Sequence, residues 1–182
     1  GPVVDDGYKD DAVKKLGEHK PAGPWRGGKY SNFEGGTRVP MIARWPGRIK
    51  QGESAALMCQ IDFPATFAAL VGRKEPFATG AAPDSVNTLA ALLGESEAGR
   101  ESLVEHAGTL ALRHGDWKWI AAGKGAKVNA NTNTELGNDP AGQLFNLKDD
   151  PGERQNLTGQ QPAKARAMAA LLEQIRAAGA AE

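Results

Sequence analysis

The chain has 182 residues and carries 22 Lys and Arg against 22 Asp and Glu, so its formal charge is zero. This balance argues against a general binder of nucleic acid, because affinity of that kind comes from many phosphate contacts. Hydrophobic residues make up 40% of the chain, enough for a packed core, which argues against wholesale disorder. No apolar run approaches the roughly 20 residues of a membrane span.

One strand and a short helix are predicted at the start of the chain. A brief helix should span 12–16, where apolar and charged residues precede a glycine. A glycine-rich stretch follows at 23–36. The segment 37–46, TRVPMIARWP, is β-branched and apolar. This composition predicts a buried strand, which the next Pro-Gly pair should end.

Two helices are predicted after this strand. IDFPATFAALVG at 61–72 has Asp62 in position to cap its start and a glycine to end it. NTLAALLGE at 87–95 predicts a short second helix. The single cysteine, Cys59, lies in an apolar context, which is typical of a small buried side chain. A nucleophilic thiol is the alternative.

The C-terminal part of the chain is predicted to form an antiparallel sheet followed by a helix. RHGDWKWI at 113–120 is a hairpin signal, because turn residues precede an alternation of tryptophans with Lys118 and Ile120. The polar residues 123–142 predict a long loop, a type that is often functional. Strands are predicted in 101–106, 109–122 and 142–148, and the last helix in 162–180.

The most informative motif surrounds Lys29. Gly-Gly pairs flank it at 27–28 and 35–36, and glycine allows positive φ and a close approach of the backbone to another group. A lysine held in such a loop is a fixed cation with three donors, which suits an anion with tetrahedral oxygens. A tight connector with a solvated lysine is the alternative. Glu34 and Arg38 are predicted to form an ion pair that braces the loop. No phosphate-binding P-loop is indicated, because no Ser or Thr directly follows Lys29 and no helix is predicted after it.

Several motifs carry a resemblance to a known family. GPWRGGKYSNFEGGTRVPMIARWPGRIK at 23–50 resembles the region of the sulfatase family, in the alkaline-phosphatase-like superfamily, that has Gly-Gly-Lys, then an acidic-Gly-Gly-x-Arg-x-Pro segment, then a strand ending in Trp-Pro-Gly. The helix at 61–72 resembles the one that follows this strand. LRHGDWKWI at 112–120 and LFNLKDDPGERQNL at 144–157 resemble the C-terminal hairpin and the segment before the last helix. The resemblance covers nearly the whole chain.

The resemblance implies an α/β chain that forms the C-terminal part of an alkaline-phosphatase-like fold. A small antiparallel sheet with a packed C-terminal helix is expected at its end. Residues 1–100 would be the C-terminal piece of the large sulfatase domain, including the Gly-Gly-Lys loop. Residues 101–182 would be a small C-terminal subdomain.

The implied site lies around the same loop. In sulfatases the lysine of the Gly-Gly-Lys element contacts the sulfate group of the substrate, and this role would fall here on Lys29. His19 and Lys20, earlier on the loop, could touch the substrate beyond the sulfate. Trp25 and Arg26 could flank a sugar ring by stacking and hydrogen bonding. Exposed loop residues and packing of the loop base are the alternatives.

The implied function is hydrolysis of sulfate esters, of a sulfated carbohydrate in particular. A phosphoryl or phosphonate hydrolase of the same superfamily is an alternative, because lysine binds phosphate as readily. A binding module that keeps the fold and has no catalytic activity is a further alternative. The family also implies a periplasmic or secreted protein, without nucleic-acid or membrane partners.

The chain departs from the family pattern in its nucleophile and metal ligands. Sulfatases convert the cysteine of a Cys-x-Pro-x-Arg motif into formylglycine, whereas Cys59 is followed by Gln-Ile-Asp-Phe. The family binds a calcium ion through two early aspartates and an Asp-Asn pair directly before Gly-Pro, with which this chain begins at Gly1. The resemblance therefore implies that the calcium ligands lie upstream of Gly1 and that the upstream part is a partner of this chain. We expect residues 1–182 alone to bind no metal and to be inactive.

Overall fold

The structure, a computed structural model, describes residues 1–4, 9–73 and 81–179. Packing divides the chain into two compact units: Gly1–Val39 together with Val104–Ala181 form the first, and Pro40–Leu103 make up nearly all of the second. The first unit therefore joins the glycine-rich stretch to the C-terminal sheet. The predicted division of the whole fold into 1–100 and 101–182 stays a prediction.

The first unit is built on a four-stranded sheet with the order β1-β2-β3-β6. The hairpin of β2 and β3 is antiparallel, and β3 pairs antiparallel with β6, as the sequence predicted. In register, Leu112 lies opposite Trp119, which lies opposite Leu144. Gly115, in the turn of the hairpin, has a φ of 57°. The strands are β1 (Ser102–Ala107), β2 (Thr109–His114), β3 (Trp117–Ile120) and β6 (Gln143–Asn146).

Each face of this sheet has its own core, because successive side chains of a strand point to opposite faces. On one face the C-terminal helix α5 (Pro162–Gly179) packs its Ala165, Met168 and Leu172 against the sheet. On the other face Phe33, from the glycine-rich stretch, packs against Ile120, Phe145 and their neighbours. The predicted C-terminal helix is confirmed. The second core holds the glycine-rich stretch on the sheet.

Two details of the first unit differ from the predictions. The polar residues 123–142 contain a small antiparallel pair, β4 (Val128–Asn129) with β5 (Thr134–Glu135), where only a loop was predicted. A one-turn helix, α2 (Glu34–Thr37), follows the glycine-rich motif, although no helix was predicted there. Glycine has a low helix propensity, so a segment with two glycines in four residues is not predicted to be helical. The predicted helix α1 (Ala12–Leu16) is confirmed and ends at Gly17, with a φ of 60°.

The second unit contains the helices α3 (Phe63–Leu70) and α4 (Leu89–Leu92), both at predicted places. Asp62 was predicted to cap the start of the helix, but it caps the 3-10 turn at Gln60–Asp62 that precedes α3. Its carboxylate accepts a hydrogen bond from the Cys59 N–H at 3.0 Å. The half-buried Cys59 is the residue at the start of this turn. Asp62 also accepts the Val86 N–H and pairs with Arg100.

The predicted buried strand at 37–46 is wrong. Residues 38–45 have no strand or helix, and Ile42 is 94% exposed. A strand is held by the hydrogen bonds of its neighbours, and none of the described strands pairs with this segment. The apolar composition was read correctly, but composition alone does not supply a neighbouring strand.

Among the helices of the described residues, none is long and apolar enough to cross a membrane.

Candidate functional site

The glycine-rich loop is compact because its two halves lie against each other. The Gly35 N–H donates to the Arg26 carbonyl at 2.8 Å. Gly27 has a φ of +77°, a conformation that L side chains rarely adopt. A Cβ on Gly36 would lie 2.1 Å from the Ser31 carbonyl oxygen. The glycines thus serve close packing within the loop, and Lys29 lies at its outer side.

Lys29 combines a fixed backbone with an exposed side chain. Its N–H donates to the Pro2 carbonyl at 2.7 Å, and its ammonium lies 5.4 Å from the centre of the Tyr30 ring. Within the described ranges, no carboxylate forms an ion pair with Lys29. The Gly1 nitrogen donates to the Gly36 carbonyl at 2.8 Å. Lys29 is therefore an exposed cation beside Pro2 that pairs with no carboxylate among the described residues.

Arg26 is engaged with the protein at the base of the loop. Its guanidinium donates to both carboxylate oxygens of Glu135, at 2.6 and 2.9 Å, and to the Glu153 carbonyl at 2.6 Å. It also stacks over the Phe33 ring, 4.0 Å from the centre. The hydrogen bond from Arg26 lowers the pKa of Glu135. These contacts hold the loop on β5 and on the segment after β6, and they leave fewer donors for a substrate.

The other predicted substrate residues lie at the surface or at the loop base. His19 and Lys20 are exposed on the turn that follows α1. Trp25 is half-buried beneath the Arg38 guanidinium, whose carbon lies 4.0 Å from the centre of the indole ring. Arg38 thereby links Trp25 to the buried charges described next. The assignment of these residues, and of Lys29, to a substrate site stays a prediction.

A cluster of buried charges lies under the loop, on the sheet face that also carries Phe33. Glu34, only 1% exposed, accepts hydrogen bonds from Lys118 at 2.8 Å and from Arg38 at 2.6 Å. The Lys118 ammonium, fully buried, lies 3.0 Å from Glu105 and 3.7 Å from Glu153. The predicted pair of Glu34 with Arg38 is confirmed. The ionic cluster consists of Glu34, Arg38, Glu105, Arg113, Lys118 and Glu153.

Burial and charge act against each other in the ionic cluster. Burial disfavours the charged form of Glu34, but its cationic neighbours, Lys118 first, outweigh burial and lower its pKa. Burial would also lower the pKa of Lys118, yet the surrounding carboxylates raise it above the ordinary value. For Glu153 burial dominates and raises the pKa to about 7. Lys118 and Glu34 are therefore charged in the cluster, whereas Glu153, with its pKa of about 7, gains or loses its proton near neutral pH.

Most of this cluster was not predicted from the sequence, although one signal was present. The hairpin pattern placed Lys118 on the same face as Ile120, and a lysine on an apolar face needs a buried counter-ion. The partners come from distant positions, Glu34 and Glu153 among them, and no local pattern links them to Lys118. Only the folded sheet brings them together.

A metal site is not formed by the described residues: no three His, Cys, Asp or Glu side chains come close enough to hold an ion. Calcium takes six to eight oxygen ligands, carboxylates among them. The described part of the chain thus does not fit the calcium ion that the family resemblance implies, and no chemical step is derived through it. Cys59 does not fit the formylglycine precursor either, because its motif is absent.

The comparisons with known proteins agree in pointing to sulfatases. Residues 9–73 match the sulfatase family model. An N-acetylgalactosamine-6-O-sulfatase of Bacteroides thetaiotaomicron is 44% identical over 178 residues, which are 97% of this chain and 34% of that protein. Human arylsulfatase A is 32% identical over 152 residues, 76% of this chain and 29% of that protein. The chain thus spans about a third of the length of these curated relatives.

Solved structures show the same fold. A structure from work on the metabolism of multiple glycosaminoglycans by Bacteroides thetaiotaomicron has a TM-score of 0.91 at 44% identity, covering 97% of this chain and 37% of its own. The PsFucS1 sulfatase of Pseudoalteromonas has a TM-score of 0.68 at 28% identity, covering 85% of this chain and 32% of its own. The predicted fold class is therefore confirmed: a part of the alkaline-phosphatase-like fold with a small antiparallel sheet and a C-terminal helix.

Proposed function

Because this chain belongs to the sulfatase family, we propose that it is part of an enzyme that hydrolyses sulfate esters and that Lys29 contacts the sulfate group. The observation that carries the proposal is the exposed Lys29 ammonium, which pairs with no carboxylate among the described residues, on a loop fixed by backbone hydrogen bonds. The chain spans about a third of its relatives, so the activity is proposed for the whole protein.

Lys29 would act by electrostatic stabilisation. A charge that is already in place costs no reorganisation when the sulfuryl oxygens gain negative charge in the transition state. The glycine-rich loop supplies this fixed position, because its backbone is bonded to Pro2 on one side and closed on itself by Gly35. The nucleophile and the calcium ligands would come from residues outside this sequence.

We propose a sulfated carbohydrate as the substrate class. The N-acetylgalactosamine-6-O-sulfatase relative supports this class, as does the half-buried Trp25 near the loop. His19 and Lys20 are exposed and would contact the sugar beyond the sulfate. Arg26 would act through the loop rather than on the substrate, because its guanidinium is already bonded to the protein. A periplasmic or secreted location is proposed on the resemblance alone.

The test is the turnover of an aryl sulfate by the whole enzyme carrying Lys29→Ala. Loss of a fixed charge at such a site costs about 2.7–4 kcal/mol, or roughly 10²–10³ in kcat. Lys29→Arg should recover little of this loss, because the guanidinium is planar and bulkier than an ammonium. The matched control is Lys148→Ala, which removes an exposed lysine from the turn after β6. Near-normal turnover by Lys29→Ala would remove Lys29 from the site.

A second assay separates the alternatives. A phosphate monoester is offered to the wild-type enzyme at the same concentration as the aryl sulfate. Faster turnover of the phosphate ester would favour the phosphoryl hydrolase, and turnover of neither ester would favour a binding module.

A further inference from the structure

Glu153 bonds both sides of the loop that carries Lys29. Its carboxylate accepts the Glu34 N–H at 2.6 Å, and its main-chain carbonyl accepts a hydrogen bond from the Arg26 guanidinium, also at 2.6 Å. Arg26 lies before the Gly-Gly-Lys element and Glu34 lies after it. A single buried residue of the C-terminal segment thus fixes both ends of the loop.

The two ends are also joined directly. The Gly35 N–H donates to the Arg26 carbonyl at 2.8 Å, and the Ser31 N–H donates to the Gly28 carbonyl at 3.0 Å. The loop is therefore closed on itself, and a shift at its base would move Lys29 with it.

The backbone of Glu153 indicates that its side chain has a specific use. Its φ is 52°, in the left-handed region where glycine is the usual residue. The turn imposes this conformation: the Asp150 side chain accepts the N–H groups of Arg154 at 2.6 Å and Gln155 at 2.8 Å. A glutamate in place of a glycine at such a position fits a role that needs the carboxylate.

The charges around Glu153 are not arranged as stability alone would favour. The nearest cation, the Lys118 ammonium, lies 3.7 Å from one oxygen of Glu153, and this buried oxygen accepts no hydrogen bond. Two further carboxylates, Glu34 and Glu105, share the same lysine. A buried oxygen without a hydrogen bond is costly. The contact that Glu153 makes well is the one to the backbone of the loop.

We propose that Glu153 is a positioning residue for Lys29: it holds both ends of the glycine-rich loop so that the ammonium meets the sulfate group. This inference rests on the proposed role of Lys29. The segment DDPGE at 149–153, which the sequence analysis linked only to the fold, thereby acts on the chemistry through the loop.

The test is a double-mutant cycle in the whole enzyme with an aryl sulfate. Glu153→Ala should lower kcat by about 10²-fold, since a displacement of about 1 Å can cost that much. Glu153→Gln should recover most of the loss, because the amide oxygen can still accept the Glu34 N–H. In the Lys29→Ala background, Glu153→Ala should cause no further loss of kcat. Lys148→Ala, in the preceding turn, should leave kcat unchanged in both backgrounds.

The outcomes separate this inference from the proposed function. Normal turnover by Lys29→Ala would overturn the role of Lys29 itself. An impaired Lys29→Ala enzyme that loses the same further factor through Glu153→Ala would assign Glu153 to stability only, and the positioning role would be overturned. If Glu153→Ala does not fold, Glu153→Asp takes its place, because it keeps the charge but is too short for the same hydrogen bond. Its loss of kcat should likewise vanish in the Lys29→Ala background, and persistence of the loss would overturn the proposal.

Discussion

Charged side chains are buried in the ionic cluster under the glycine-rich loop, whereas apolar side chains are exposed in the segment at 40–45. Lys118 and Glu34 are buried, whereas Ile42 is 94% exposed. The charges are buried because each faces opposite charges at hydrogen-bonding distance. The apolar segment is exposed within this chain, and no described strand pairs with its backbone. The burial of a side chain therefore depends on the partners available to it as well as on its hydrophobicity.

Of the changes in these two regions, the largest loss of stability is expected from removing Lys118, the central cation of the ionic cluster. Lys118→Met leaves the carboxylates of Glu34, Glu105 and Glu153 buried without their shared partner. Breaking a buried pair in this way costs about 3–5 kcal/mol. Urea unfolding of the purified protein, followed by circular dichroism, measures this loss.

Lys148→Met is the control, and as an exposed substitution it should change stability by less than about 0.5 kcal/mol. An equally stable Lys118→Met protein would mean that the carboxylates are neutral when buried, and that Lys118 is not required to hold them.

A smaller effect is expected from pH. The pKa of Glu153 is raised from 4.5 to about 7 in the folded protein. A group with a raised folded pKa contributes stability below its unfolded pKa and loses it as pH rises through the folded pKa. The free energy of unfolding should therefore fall between pH 4.5 and 7 on account of Glu153, by at most about 3 kcal/mol.

Glu34 contributes in a separate pH window. Its pKa is lowered in the folded protein, so its contribution is lost only as pH falls below the ordinary value of 4.5. Urea unfolding at pH 5 and pH 7.5 measures the free energy of unfolding at the two sides of the Glu153 titration. The difference between these two free energies should shrink in Glu153→Gln. An unchanged difference would assign the pH dependence to other groups.

The smallest effect is expected in the apolar segment. Ile42→Ser replaces an exposed side chain and should change the free energy of unfolding by less than about 0.5 kcal/mol. Phe33→Ala is the contrasting variant, since it empties a buried position in the second core of the sheet and should cost about 3–5 kcal/mol. Urea unfolding measures both. If Ile42→Ser lowered the free energy of unfolding as much as Phe33→Ala, other residues would have to cover the segment. The contrast between the two regions would then be wrong.

The sequence predicted the parts of the site that depend on neighbouring residues. The Gly-Gly pairs indicated a close approach of the backbone around Lys29, and the pairing of Glu34 with Arg38 was predicted, although the one-turn helix α2 between them was not. Neither Glu153 nor Arg113 stood out as a partner of the loop, because their contacts join positions far apart in the chain. The engagement of Arg26 with Glu135 was missed for the same reason.

The sequence by itself determined the family, the hairpin, the helices other than α2 and the glycine motif around Lys29, since each of these leaves a local pattern of hydrophobicity, turns or motifs. The tertiary structure alone decided which charges are buried together and which apolar segment stays exposed. Lys118 meets Glu34 and Glu153 only because the sheet aligns their strands and loops on one face. The segment at 40–45 has the composition of a buried strand, but a strand also needs neighbours, and composition does not encode where they are.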